Sequence, residues 1–186
     1  MKNTIKMMVA VVALTVVAVT TSAAEKTVMV GGAAMYPSKD IIDNAVNSKD
    51  HTILVAAVKA AGLVETLKGL GPFTVFAPTD AAFGKLPAGT VDTLVKPENK
   101  ATLTKILTYH VVAGKLDSAA IAKKIKASKD GKYEVVTVQG GKLFASMSGK
   151  NLILTDEKGG SAQVTIANVY QKNGVIHVVD TVLMPN

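Results

Sequence analysis

Three histidines, one aspartate in an apolar run and one two-carboxylate turn are the residues with chemistry to offer. His110 follows Tyr109, His177 sits in the string VIHVVD, and Asp180 lies among Val178, Val179 and Val182. Histidine with a carboxylate is the usual acid–base pair near neutral pH. His177 and Asp180 are three positions apart, so a regular strand points them to opposite faces, which argues against a direct dyad. A His110–Asp180 pair is left for the fold to decide, and with it a hydrolase reading. An unpaired buried carboxylate is costly. Asp180 is therefore expected to accept hydrogen bonds from backbone N–H groups and pin a loop. His51, at a helix start, reads as a solvated or capping residue, and His177 as a half-buried strand residue. His110, at a helix-to-strand junction, either satisfies buried backbone or belongs to a binding surface.

Other reactive constellations are missing. The chain has no cysteine, which excludes thiol nucleophiles and thiolate metal sites. Ser148 has Ser146, not glycine, two positions before it, so no nucleophile elbow forms. Gly69-x-Gly71 runs into Pro72 rather than a helix start, and no phosphate-binding loop, His-Glu-x-x-His or EF-hand spacing occurs. Asp156-Glu157 lacks the alternating carboxylates of a calcium loop and reads as a solvated turn. The expectation is a non-enzyme with no catalytic residue, cofactor or metal.

The elements that must position these residues centre on 71–83, GPFTVFAPTDAAF. Phe73, Thr74, Val75 and Phe76 are aromatic or β-branched, types suited to a strand at 73–76. Pro78 stops it, and Thr79 or Asp80 can cap a helix that begins Ala81-Ala82-Phe83. Phe76 and Phe83 are expected to point inward. Before this stretch, 25–40 looks irregular because of Gly31-Gly32 and Pro37. Ile41, Ile42, Ala45 and Val46 mark a short helix. Ile53, Leu54, Ala57, Val58 and Ala61 mark a longer one that Gly62 ends, and 63–68 reads as a turn. After it come a brief helix at 91–95 and a clearer one from Asn99 that runs into a strand near 109–113. Asp117 or Ser118 then caps a helix with Ile121 and Ile125 inward, its lysines complementing the helix dipole. From Tyr133 the period becomes two, giving strands at 133–138, 142–147, 152–155, 163–170 and 175–183. The Asn173-Gly174 turn is the strongest hairpin signal. Helices followed by an antiparallel meander give an α+β class with segregated layers.

Residues 1–24 read as a cleaved signal peptide. Lys2 and Lys6 precede an apolar run at 7–19, shorter than a membrane span, and Ser22-Ala23-Ala24 suits cleavage. Residues 25–186 then form one domain, exported to periplasm or outside, with no transmembrane anchor. The net charge of the whole chain is +7; every basic residue is lysine. With no arginine for bidentate recognition, sequence-specific nucleic-acid binding is not expected.

Taken together, GPFTVFAPTDAAF, LTYHVV at 107–112, NGVIHVVDTVLMP at 173–185 and AMYPSKDIIDNAV at 34–46 resemble the fasciclin-like domain, as bacterial secreted members show it. The resemblance implies a β-wedge or sandwich of mostly antiparallel strands with a layer of short helices. It implies an extracellular or periplasmic role in cell adhesion, or surface and matrix association, through protein–protein contacts. On it, Thr74, Phe76, Pro78, Thr79, Asp80 and Phe83 fall in the first signature block, and His177 and Asp180 in the second. Tyr109 and His110 match the Tyr-His pair and are the expected partner-binding residues. Partners would be a cell-surface or matrix protein or polymer, with weak self-association as a route to bridging. The alternative expectation is a periplasmic carrier holding a small apolar ligand between helices and sheet, and less so a hydrolase.

Overall fold

A computed structural model describes residues 25–186. The segment expected to be the signal peptide lies outside the described residues. The chain opens with a hairpin, β1 (Val28–Val30) and β2 (Ala33–Met35), followed by helices α1 (Ile41–Ala45), α2 (Thr52–Ala61) and α3 (Val64–Lys68). Next come β3 (Phe73–Pro78), α4 (Asp80–Phe83), α5 (Thr90–Leu94) and α6 (Lys100–Tyr109). The rest is β4 (Val111–Ala113), α7 (Ser118–Ala127), β5 (Lys132–Val136), β6 (Lys142–Ser148), β7 (Asn151–Thr155), β8 (Ser161–Gln171) and β9 (Gly174–Val179).

Seven strands form one sheet in the order β4-β3-β9-β8-β7-β6-β5. From β5 to β9 it is the expected antiparallel meander. β3 then lies parallel to β9, with Phe76 opposite His177. The sheet curls so that its ends approach each other, and Val138 N–H, just past β5, donates to the Val111 carbonyl in β4 at 2.7 Å.

Strand alternation splits the interior in two. Val75 and Ala77 of β3 and Ile176 and Val178 of β9 face the helices, packing on Leu54, Val58, Leu67 and Leu107. Phe76, on the other face, joins Tyr109, Leu143, Leu154 and Val179 in the curl of the sheet, closed by Ile121 and Ile125 of α7. Both faces of β3 and β9 are thus covered. That accounts for their continuous apolar runs and for the parallel pairing, which occurs where a strand is buried on both sides.

Strand ends shift by one or two residues at β3, β5 and β8, and four larger differences from the sequence expectation have a physical reason. The stretch 25–40 holds a hairpin, whose Gly31 and Gly32 have φ of 56° and 75°. Two consecutive positive-φ residues make the tight turn that suits strand twist, and three-residue strands are too short to show a period. The expected turn at 63–68 contains α3, because Leu67 packs into the core. Tyr109 ends α6 and His110 caps it, so strand begins only at Val111. β9 stops at Val179; Asp180 N–H still donates to the Gln163 carbonyl at 3.1 Å, and beyond it the chain is held by side chains, His110 at Leu183 and Asp156 at Met184. Gly62 closes α2 in the left-handed conformation, φ 74°, as its position implied.

Candidate functional site

The Tyr109-His110 junction is built by the end of α6. The His110 ring is buried and neutral, since burial pushes its pKa down; the Ile106 backbone and Asp156 oppose that effect. Its Nδ1–H donates to the Ile106 carbonyl at 2.9 Å, satisfying one of the acceptors a helix end leaves free. Its Nε2 accepts from the Leu183 N–H at 3.0 Å. Each ring nitrogen therefore has a backbone partner.

Tyr109 is fully buried and meets the His110 ring edge-on, with centroids 6.4 Å apart. Its hydroxyl donates to the Lys142 carbonyl at 2.6 Å and accepts from the Glu157 N–H at 3.3 Å. Burial pushes its pKa up to about 12. A side chain at Gly141 would put Cβ 2.8 Å from the Tyr109 ring, so the ring needs glycine there.

Asp156, expected in a solvated turn, is buried. Its carboxylate accepts from the N–H groups of Gly160 at 2.7 Å, Lys158 at 3.0 Å and Met184 at 3.0 Å. Asp180 accepts from Gln163 N–H at 2.8 Å and from the Thr181 hydroxyl at 3.0 Å, with Lys85 Nζ at 3.4 Å. Burial acts to raise its pKa, but the Gln163 N–H, the Thr181 hydroxyl and Lys85 outweigh it and hold the carboxyl below the ordinary range. Three side chains thus peg the C-terminal segment: Asp180 to β8, His110 to Leu183 and Asp156 to Met184.

No hydrogen bond joins His110 to Asp180, and the hydrolase reading loses its pair. His177 is fully buried rather than half-buried, because both faces of β9 are covered. Its Nε2–H donates to the Leu116 carbonyl at 2.8 Å, and its ring stacks on Phe76 at 5.7 Å. His51 occupies the N-cap position of α2, but its side chain makes no capping bond and is not solvated. It is buried, and the α2 cap comes from Asp80, which accepts from Thr52 N–H at 3.2 Å, Ile53 N–H at 2.9 Å and Thr52 Oγ1 at 2.6 Å. Thr79 caps α4 through Ala82 N–H at 3.2 Å. Thr74 donates to the Gly114 carbonyl at 2.7 Å and accepts from Leu116 N–H at 2.8 Å. Phe76 and Phe83 are buried, and Pro78 ends β3. Among the described residues, no three His, Asp or Glu side chains gather as metal ligands would.

Neither Tyr109 nor His110 reaches the surface, so any role in partner binding falls to the residues they position. Beside them, on the seam between β4 and β5, Val136 and Val138 stand 57% and 48% exposed.

Asn173 went unread as a site residue. Its Oδ1 accepts from Ile41 N–H at 3.0 Å, and its Nδ2 donates to the carbonyls of Leu67 at 2.7 Å and Gly69 at 2.9 Å, tying α1 and α3 to the β8–β9 turn. Its one sequence signal, Asn-Gly, announces only the turn.

The sequence model of the fasciclin domain matches residues 49–185. The chain belongs to the fasciclin domain family. Protein sll1483 of Synechocystis is 45% identical over 161 residues, covering 87% of this chain and 82% of that protein. The immunogenic protein MPB70 of Mycobacterium bovis is 38% identical over 146 residues, covering 76% and 66%. The fold matches a solved FAS1 domain pair from the insect cell adhesion molecule fasciclin I. The TM-score is 0.71 at 16% identity, over 80% of this chain and 52% of that one. This fasciclin chain therefore spans about half of that structure. The hairpin β1–β2 and α1 lie before the matched region, yet Val30, Met35 and Ile41 enter the same core as the fasciclin segment.

Proposed function

We propose that this protein is an exported, non-enzymatic interaction module. It would associate with cell-surface or matrix protein or polymer, in periplasm or outside the cell, through protein–protein contacts. The observation that carries the reading is the use of the chain's polar residues. At His110 and His177 the imidazoles are held by backbone groups in the interior, and Asp156 and Asp180 are spent on pinning loops. Relatives add support: one is named a cell surface glycolipoprotein, and a similar fold belongs to a cell adhesion molecule.

The contact surface in this reading is the β4–β5 seam over the Tyr109-His110 motif. Val138 is anchored to Val111, the residue after His110. Val136 lies on β5, the last strand in the sheet order, whose outer edge has no ladder partner until the single bond from Val138 to Val111 just past its end. An unpaired edge with exposed valines suits a partner strand or weak self-association. Replacing Val136 and Val138 with lysine is expected to abolish salt-resistant adhesion of the mature protein to intact cells. Undiminished adhesion would refute the reading.

A further inference from the structure

One end of the sheet gathers lysines that the fold does not pair. β4, β6 and β8 end there, and β3, β5, β7 and β9 begin there. α7 lies across it. At the start of α7, Ser118 N–H donates to Asn168 Oδ1 of β8 at 2.8 Å, and the Tyr170 hydroxyl donates to Asp117 at 3.4 Å. At its far end, Ala122, Ile125 and Lys126 form one wall of an open cleft, with Met147 of β6 and Lys150 of the following turn on the other. Ile121 and Ile125 turn into the core, which leaves Lys123 and Lys126 on the outer side. Lys115 precedes α7, Lys129 follows it, and Lys150 and Lys172 lie in the adjoining turns, so six exposed lysines share this end.

Among the described residues the ion pairs are Lys68–Asp43, Lys85–Asp180 and Lys142–Glu134, and none of the six belongs to them. The carboxylates nearby are few and engaged. Asp117 accepts from Ala120 N–H at 2.7 Å, and Asp130 accepts from Lys132 N–H at 3.3 Å. Past the β8–β9 turn, Asp40 caps α1 and Asp43 holds Lys68. The helix dipole accounts for lysines in the last turn of α7, and for none of Lys115, Lys150 or Lys172.

The same end carries an apolar tip. Leu70, in the loop before β3, is 100% exposed. That loop lies beside the approach to α7, where Gly114 N–H donates to the Pro72 carbonyl at 2.8 Å. It is held on both sides of the leucine. Asn173 Nδ2 donates to the Gly69 carbonyl at 2.9 Å, and the Asn173 carbonyl accepts from Phe73 N–H at 3.0 Å. Gly71 has φ 62°, and a Cβ there would strike that same carbonyl. Leu70 is thus held out into solvent by a pinned loop. Met147, at the cleft, is 39% exposed.

We propose that this end of the sheet docks on an anionic lipid bilayer, with the lysines on headgroup phosphates and Leu70 in the acyl boundary. The two features together select the partner. A soluble polyanion would answer the lysines and leave Leu70 in water. An apolar protein groove would answer Leu70 and leave the lysines facing apolar surface. A bilayer interface offers phosphate and hydrocarbon within about 5–10 Å of depth. Clusters of about four to eight basic residues on and beside an amphipathic helix match an anionic leaflet. Lysine suits mobile phosphates as a point charge on a flexible stem, whereas planar bidentate recognition calls for arginine, which the chain lacks. One leucine beside a basic patch makes the docking reversible and sensitive to salt. The inference goes beyond the adhesion reading and does not rest on it. The β4–β5 seam is at the opposite end of the sheet, where β5 ends and β4 begins, so a docked protein keeps that seam free for a partner.

The test uses residues 25–186, which hold the whole fold described above, so that the apolar run at 7–19 takes no part. The probes are vesicles of phosphatidylcholine alone, vesicles of phosphatidylcholine mixed with phosphatidylglycerol, and soluble polyphosphate. The chain has no tryptophan, so Leu70→Trp places a single fluorophore at the tip. The wild type is expected to sediment with the anionic vesicles at about 0.05 M salt, to be released at about 0.5 M, and to ignore the neutral vesicles. On the anionic vesicles the Leu70→Trp emission should move to the blue and be quenched by lipid brominated in its chains. Lys123→Glu/Lys126→Glu should bind them at least about tenfold more weakly, and Leu70→Ser about fivefold more weakly. All three positions are exposed, and circular dichroism checks that the variants fold. The proposal is overturned by failure to bind the anionic vesicles, by equal binding to both kinds, by a bound Leu70→Trp whose emission stays that of water, or by a lysine variant that binds as the wild type does. Polyphosphate bound as tightly as the vesicles, with Leu70→Ser unaffected, would assign the lysines to a soluble polyanion and overturn it as well.

Discussion

His110 and Leu183, 73 residues apart, are joined by a single hydrogen bond in which the ring nitrogen accepts the backbone N–H at 3.0 Å. It makes the Tyr-His pair a strut. Removing the ring leaves the Leu183 N–H and the Ile106 carbonyl without partners and opens a void in a closed core. Each unsatisfied buried group costs about 1–3 kcal/mol. His110→Ala is therefore expected to lose about 3 kcal/mol or more of unfolding free energy in urea. A variant of wild-type stability would show that the strut carries nothing.

The same buried histidines set the acid limb of stability. His110, His177 and His51 all have folded pKa values pushed below the ordinary histidine value, in each case by burial. The unfolded chain then binds more protons than the folded one below about pH 6.5. Their contribution is complete above that pH and is lost as the pH falls towards the folded values. Urea midpoints measured from pH 7.5 to 5 should decline, and His177→Phe should flatten the decline. A midpoint constant over that range would contradict the assignment.

Tyr109 sets the opposite limb. Its folded pKa, about 12, lies above the ordinary value of 10.0. Stability from the neutral phenol is complete below pH 10 and is lost as the pH rises through 10 to 12. Tyr109→Phe should be less stable at pH 7, by roughly 1–2 kcal/mol for the lost bonds to Lys142 and Glu157. It should also lose less than the wild type between pH 9 and 11.

Asp80 caps a helix that it does not belong to. Asp80→Ala leaves the first N–H groups of α2 without their acceptor, and about 1–2 kcal/mol is expected from thermal unfolding. Thr79→Ala, which removes the cap of the four-residue α4, should cost no more than about 1 kcal/mol. The reverse order would mean that the cap belongs to α4 alone.

Much of this was legible in the chain. The GPFTVFAPTDAAF stretch gave β3, the Thr79 cap and two inward phenylalanines from residue types alone. The meander after Tyr133 followed from its period of two. Three kinds of information stayed hidden. The parallel β3–β9 pairing depends on segments about a hundred residues apart, and no local pattern encodes it. The depth of His110, His177 and His51 depends on both faces being covered, which one strand's alternation cannot report. Asp156 looked like a turn residue, and it is one; its third acceptor bond, to Met184, comes from a distant segment.

The central claim is a division of labour, with Tyr109 and His110 as internal supports and the β4–β5 seam as the contact surface. Its most direct test sets wild type, Val136→Lys/Val138→Lys and His110→Ala side by side, measuring adhesion to cells and extracellular polymer at about 0.5 M salt, where exposed charges are screened, together with the folded fraction. The account predicts that the valine pair loses adhesion but not stability, and that His110→Ala loses stability but keeps its adhesion per folded molecule. A stably folded His110→Ala without adhesion, or a valine variant that adheres as well as the wild type, would contradict it.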